Sequence, residues 1–199
     1  TDGANKVPLS IINEYYNQDV SIAIIDLSGT GEATSKKSLG FDRTAELHTY
    51  ARAQLWLGNN LTGEWVKELN CAAEFLRANF NADQINFDGT KEAGLAGLYL
   101  KATLGVLDKI VLRSSPVSYL FDNREGVDFF SMGIHIPGIL EWGDISLVTG
   151  IAGGEITFIN AVSMSGRNIE GSELEKYETE FEAGLKKCNN RGKIQINLQ

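Results

Sequence analysis

His48 and His135 are the only histidines in the chain, so an imidazole base or a histidine-held metal would have to use them. His48 lies in Glu46-Leu47-His48-Thr49-Tyr50 and His135 in Gly133-Ile134-His135-Ile136-Pro137. Neither has a second His or Cys at ligand spacing, and no metal is expected. His135, flanked by isoleucines, fits a partly buried, hydrogen-bonded imidazole better than a base, with Glu141 and Asp144 close enough in sequence to complete a non-standard acid–base pair. Gly29-Thr30-Gly31 could begin a pyrophosphate cradle. Thr34 stands where the third glycine belongs, however, and no acidic residue ends a second strand about 20 residues on, so no cofactor is expected. Ser114, Ser115 and Ser118 occupy a proline-containing loop where serines ordinarily serve turns. Trp56, Tyr119, Phe121 and Trp142 offer either sugar-stacking faces or core packing.

These residues need elements to hold them. Leu9, Ile12, Tyr15 and Tyr16 recur at helical spacing and lead into Val20-Ser21-Ile22-Ala23-Ile24-Ile25, an apolar run suited to a buried strand. Asp26-Leu27-Ser28-Gly29-Thr30-Gly31-Glu32 then turns at that strand's carboxyl end, where ligands bind in open parallel sheets. A long amphipathic helix is expected over Leu61 to Ala78, with Thr62 as its N-cap. A short strand, Gln84-Ile85-Asn86-Phe87, a sharp connection and a small-residue helix from Ala93 to Leu100 follow. Strands are expected at Lys109–Leu112, Glu155–Asn160 and Lys193–Leu198, the last preceded by a helix carrying Leu174, Tyr177, Phe181, Leu185 and Cys188. Strands separated by helices imply a mostly parallel sheet with helices on both faces, an α/β fold.

At 199 residues and 43% hydrophobic content, a single domain over residues 1–199 is expected. The net charge of −8 and the absence of a basic cluster argue against nucleic acid. Lys36–Lys37 and Lys186–Lys187 read as solvated surface. No stretch reaches the roughly 18 apolar residues of a membrane span, and Thr1-Asp2-Gly3 lacks the order of a signal peptide. Cys71 and Cys188 fall at apolar helix positions, where core packing is expected, with a disulfide or reactive thiol as the alternative.

The turn Asp26–Glu32 resembles the aspartate, basic residue, glycine, any residue, glycine signature after an early core strand of α/β-hydrolases. Tyr50-Ala51-Arg52-Ala53-Gln54-Leu55-Trp56-Leu57-Gly58-Asn59-Asn60-Leu61, the long helix and the strand at Ile85 look like the acetyl-xylan-esterase branch. Ile136-Pro137-Gly138-Ile139-Leu140 and Asp144-Ile145 resemble that branch's loop and helix before its late strand. The similarity runs from about Ile11 to Arg167.

The resemblance implies an α/β-hydrolase-like fold lacking the first strands, hence a truncated or degenerate C-terminal domain with an open sheet edge. Thr90-Lys91-Glu92-Ala93-Gly94 matches the elbow that carries the nucleophile, with Glu92 at the nucleophile position; a carboxylate there is otherwise a charge favoured near a helix N-terminus. Ser163, in Asn160-Ala161-Val162-Ser163-Met164, matches the acidic triad position but cannot stabilise an imidazolium as a carboxylate does. Both histidines lie upstream of the triad histidine's place. The implied role is a pseudoenzyme that supports or packs on a polysaccharide esterase domain, in a periplasmic or secreted setting. Its implied partners are an upstream esterase-like domain or another copy of the chain, and acetylated polysaccharide. The alternatives are an active carboxylic-ester hydrolase with non-standard residues, or a carbohydrate-binding module.

Overall fold

A computed structural model of the chain describes residues 3–18, 20–34, 47–122 and 129–198. In chain order the elements are α1 (Leu9–Tyr16), α2 (His48–Trp56), α3 (Leu61–Phe80), β1 (Phe87–Thr90), α4 (Glu92–Leu104), β2 (Lys109–Arg113), α5 (Ile139–Trp142), α6 (Ile145–Ala152), β3 (Gly154–Ile159), α7 (Ser172–Lys187) and β4 (Gly192–Asn197). Lys36–Lys37 lies outside the described residues, whereas Lys186 and Lys187 are exposed at the end of α7.

The four strands form one parallel sheet in the order β1-β2-β3-β4. Side chains alternate faces along a strand, and the two faces differ in burial. Ile110 and Leu112 of β2, Ile156 and Phe158 of β3, and Ile196 of β4 are buried on one face. A layer of helices covers that face: α3 packs on α4, α4 on α6, and α6 on α7. Phe158 stacks on Phe181 of α7 with ring centroids 5.1 Å apart. At the α6–α7 crossing a Cβ on Gly184 would collide with the Ser146 carbonyl, so only glycine permits the helices to approach this closely.

On the opposite face, Asp88 of β1 and Arg113 of β2 receive α1. The Arg113 guanidinium, 8% exposed, donates from Nε to both Asp88 carboxylate oxygens at 2.9 Å and from Nη2 to Glu14 at 2.5 Å. The Tyr15 hydroxyl donates to Asp88 at 2.7 Å. Desolvation, then the hydrogen bond and charge of Asp88, push Tyr15 up to about 12. Helices therefore flank both faces of the sheet.

Several local expectations change. Val20–Ile25 is not a buried strand: it runs with no helix, turn or bend and, among the described residues, no ladder partner, and Val20, Ile22, Ile24 and Ile25 are 46%, 41%, 43% and 44% exposed. Apolar content favours burial but supplies no neighbouring backbone with which to form a ladder. The N-cap of α3 is Asn60, whose side chain accepts from Gly63 N at 2.7 Å, while the Thr62 hydroxyl donates to the Gly133 carbonyl. The first strand begins later, at Phe87; Ile85 is instead held by its N–H to Asp108 Oδ2 and its carbonyl to Asp108 N. Cys71 is exposed rather than core, and Cys188 is partly exposed at the C-cap of α7; both are free thiols. Leu61, Trp65, Leu69 and Ala73 define the buried face of α3, and Cys71, two residues past Leu69, points about 200° away from it. Among the described residues, no helix is long and apolar enough to cross a membrane.

Candidate active-site turn at the strand ends

The connection from β1 to α4 is a sharp turn with one residue at its apex. Lys91 has φ 53° and ψ −124°, a left-handed backbone that costs a non-glycine residue about 1–3 kcal/mol. Close packing imposes it. A Cβ on Gly94 would lie 2.9 Å from the Gly89 carbonyl and would collide with Ser115 Oγ, so α4 starts directly against β1 and β2. The turn is fastened from β2, where Arg113 O accepts from Lys91 N at 2.8 Å and Ser115 Oγ donates to Lys91 O at 2.8 Å. The Lys91 ammonium lies 4.4 Å from the centroid of the Phe129 ring.

Glu92 is the next residue, the first of α4. It is 4% exposed, and its carboxylate accepts from Ser131 N at 2.5 Å. The strained apex thus belongs to Lys91, one residue before the position at which the resemblance sets a nucleophile. The Glu92 carboxylate ties the first turn of α4 to the loop that carries His135, in the manner of a charge at a helix N-terminus.

After β3 the chain reaches Ser163, 4% exposed. Its hydroxyl lies 3.0 Å from Ser165 Oγ, and Ser165 donates to Asp122 Oδ1 at 2.5 Å. A carboxylate is therefore present one hydroxyl away from Ser163, supplied by a loop 41 residues earlier in the chain (163 − 122). It is already engaged. Arg167 bridges Asp122 at 2.9 Å and Glu173 of α7 at 2.5 Å. Desolvation raises the Asp122 pKa, but hydrogen bonds from Ser165, Ser163 and Arg167 outweigh it and hold the carboxyl at about 2. Asp122, Arg167 and Glu173 carried no motif that could single them out; only the folded chain brings them to Ser163.

The remaining candidates do not join into a catalytic set. His48 begins α2, and His135 follows a short 3-10 turn at Met132–Ile134. Among the described residues neither imidazole ring makes a hydrogen bond or an ion pair. His135 is exposed as a residue, yet the protein packed around its ring still lowers its pKa by desolvation. Asp144 is not free to serve it: its carboxylate caps α6 through Ile145 N at 2.7 Å and also accepts from Tyr119 N and the Ser118 hydroxyl. Ser114 has φ 48°, and Ser115 secures the Lys91 turn. At the glycine pair, the Asp26 carboxylate accepts from Ala4 N and Glu32 N, and a Cβ on Gly31 would collide with Asp26. The space a phosphate would need is filled by the chain's own aspartate. Among the described residues no three His, Cys, Asp or Glu side chains converge as metal ligands.

The aromatic residues divide. Tyr119 is buried, its hydroxyl accepting from Tyr99, and has no face to offer a sugar. Phe121 is about half exposed. Trp56 is exposed, with the Arg52 guanidinium 5.0 Å from its ring, and Trp142 is 84% exposed.

A parallel sheet with helices on both faces, a strained strand-to-helix turn and loops gathered at the carboxyl ends of the strands define an α/β-hydrolase-like fold. A cold-adapted esterase from an Arctic intertidal metagenomic library, solved as a PEG-bound complex, matches over 100% of this chain and 70% of its own, with a TM-score of 0.54 and 15% sequence identity. At that identity the likeness is one of fold. No protein-family model matches the chain, and no curated protein is significantly similar to it.

Proposed function

We propose that the chain is an esterase-fold domain without sustained ester hydrolysis of its own, which supports or packs on a polysaccharide-esterase domain acting on acetylated plant polysaccharide. The observation that carries this reading is Lys91 at the strained apex. Ester hydrolysis through a covalent intermediate needs a nucleophile whose acyl form water can cleave, together with a base to activate that water. If the Lys91 amine attacked an ester carbonyl, the alcohol would leave and an amide would remain. An amide resists the second step, and no imidazole is hydrogen-bonded at the turn to assist it. The polysaccharide setting rests on the resemblance of the Tyr50–Leu61 and Ile136–Ile145 stretches.

The test is hydrolysis of a panel of short-chain acyl esters by the purified chain, with mass spectrometry of the protein afterwards. The expected result is no steady turnover from folded protein, with at most one acyl group retained per chain. Steady turnover lost in Lys91→Ala or Glu92→Ala would overturn the proposal and make this an ester hydrolase with non-standard residues.

A sugar-binding role is favoured by one observation, the 84% exposure of Trp142 beside the α5 turn. A flat, uncovered indole is a stacking surface for a pyranose ring. Saturable binding of acetylated xylan oligosaccharides, lost in Trp142→Ala, would establish it. Binding unchanged by that substitution would remove Trp142 from consideration.

A further inference from the structure

We infer that Val20–Ile25 is a pairing edge for a second copy of this chain, forming a two-fold dimer in which the run lies antiparallel to itself. The inference is independent of whether the fold hydrolyses esters.

Three observations carry it. Val20–Ile25 contains no charged residue and four large apolar side chains, each more than 40% exposed. Among the described residues, none of these six makes a hydrogen bond, so a row of N–H and C=O groups is presented without partners. The run is also anchored at both ends. Before it, α1 is fixed to the sheet through Tyr15–Asp88 and Glu14–Arg113. After it, Ser28 N donates to Glu68 at 2.8 Å and Ser28 O accepts from Trp65 Nε1 at 2.9 Å. Little conformational entropy remains to be lost on pairing.

The sheet's own edges are guarded in ways this run is not. β1 has only four residues, and its Asp88 is covered by Arg113 and α1; β4 presents Lys193. Short edges and edge lysines discourage strand addition. What Val20–Ile25 needs opposite it is an uncharged apolar segment with open ladder groups, and the same segment on a second copy supplies that. Antiparallel pairing about a two-fold axis satisfies both copies at once and closes the assembly. Asp26, at the end of the run, spends its carboxylate on Ala4 N and Glu32 N within its own loop, and in an antiparallel pair it lies at the opposite end from its twin. The net charge of −8 per copy opposes association over long range, so the dimer tightens as salt rises.

The experiment is sedimentation velocity of the full chain from micromolar to near-millimolar concentration, at low and high salt. Ile24→Lys is compared with the unmodified chain and with Leu104→Lys, a change at another exposed apolar position. The expected result is a concentration-dependent dimer, tighter in salt. Ile24→Lys weakens it about tenfold or more, since each cross-strand change enters twice by symmetry, and Leu104→Lys leaves it unchanged. Hydrogen exchange supplies a readout without substitution: the Val20–Ile25 amides exchange fast at low concentration and slowly at high concentration. A monomer throughout, a dimer indifferent to Ile24→Lys, or amides that exchange fast at every concentration would each overturn the inference.

Discussion

Val20–Ile25 and Ile156–Ile159 are both short, uncharged, isoleucine-rich apolar runs, and the fold treats them oppositely. Ile156-Thr157-Phe158-Ile159 lies in β3 with a parallel neighbour on each side, and Ile156 and Phe158 are fully buried beneath the helical layer. Among the described residues Val20–Ile25 has no strand beside it, and each of its four large apolar residues is more than 40% exposed. A strand is a property of pairing. Hydrophobic content decides which face turns inward once neighbours exist, but ladder hydrogen bonds must come from other chain segments.

The sharpest way to break this comparison is to truncate one side chain in each run. Phe158→Ala removes a ring stacked on Phe181 and leaves a cavity between sheet and α7, at an expected cost of about 3–5 kcal/mol. Ile24→Ala is expected to change stability by less than about 0.5 kcal/mol. Denaturant unfolding monitored by circular dichroism measures both, and comparable losses would mean that Val20–Ile25 is packed after all.

The next effect concerns what anchors α1 and hence the start of the run. Asp88→Ala strips the buried Arg113 guanidinium of its bidentate partner and leaves Glu14, whose side chain is 40% exposed, as its one carboxylate partner among the described residues. Removing one member of a buried pair is expected to cost about 3 kcal/mol, whereas Glu14→Ala, at the exposed end of the same network, is expected to cost less than about 1 kcal/mol. Equal costs for the two substitutions would show that Arg113 does not depend on Asp88 in the way its geometry indicates.

Much of the paired region was legible in sequence. The apolar runs gave β2 and β3, alternation gave β4, and the 3.6-residue spacing gave α3 and α7, because each sits on a face whose burial its own periodicity describes. The site was less legible. The turn after β1 could be located, but its apex could not be fixed between Lys91 and Glu92: the glycines at 89 and 94 are compatible with either register, and only the backbone conformation distinguishes them. Asp122 and Arg167 could not be found at all, since neither belongs to a local pattern and α5, α6 and β3 lie between them in the chain. Cys71 was misplaced because a small apolar residue near a buried stripe need not lie on it.

Lys91 provides a prediction of intermediate size. A left-handed apex is natural to glycine, so Lys91→Gly is expected to stabilise the protein by about 1 kcal/mol, the relief of strain exceeding the entropy that glycine adds to the unfolded chain. Lys91→Ala keeps the strain and is expected to show no such gain. Chemical denaturation of the two variants checks this. A destabilised glycine variant would mean that the Lys91–Phe129 contact contributes more than the strain costs.

The last effect is a pH dependence that reports on α1 docking. Tyr15 titrates at 10.0 in an unstructured chain and at about 12 when docked against Asp88. Its folded pKa is raised, so the folded state holds the proton more tightly. The stabilisation is complete below pH 10 and is lost as pH climbs from about 10 to about 12, where the unfolded state has released a proton that the folded state still keeps. Tyr99, Tyr119 and Tyr177 are shifted in the same direction, so the informative quantity is the difference between the unmodified chain and Tyr15→Phe. The phenylalanine variant is expected to fall less steeply through that window, because one of the groups that lose their proton there is gone. Identical alkaline slopes would detach Tyr15 from Asp88 and, with it, the anchor that holds Val20–Ile25 in place.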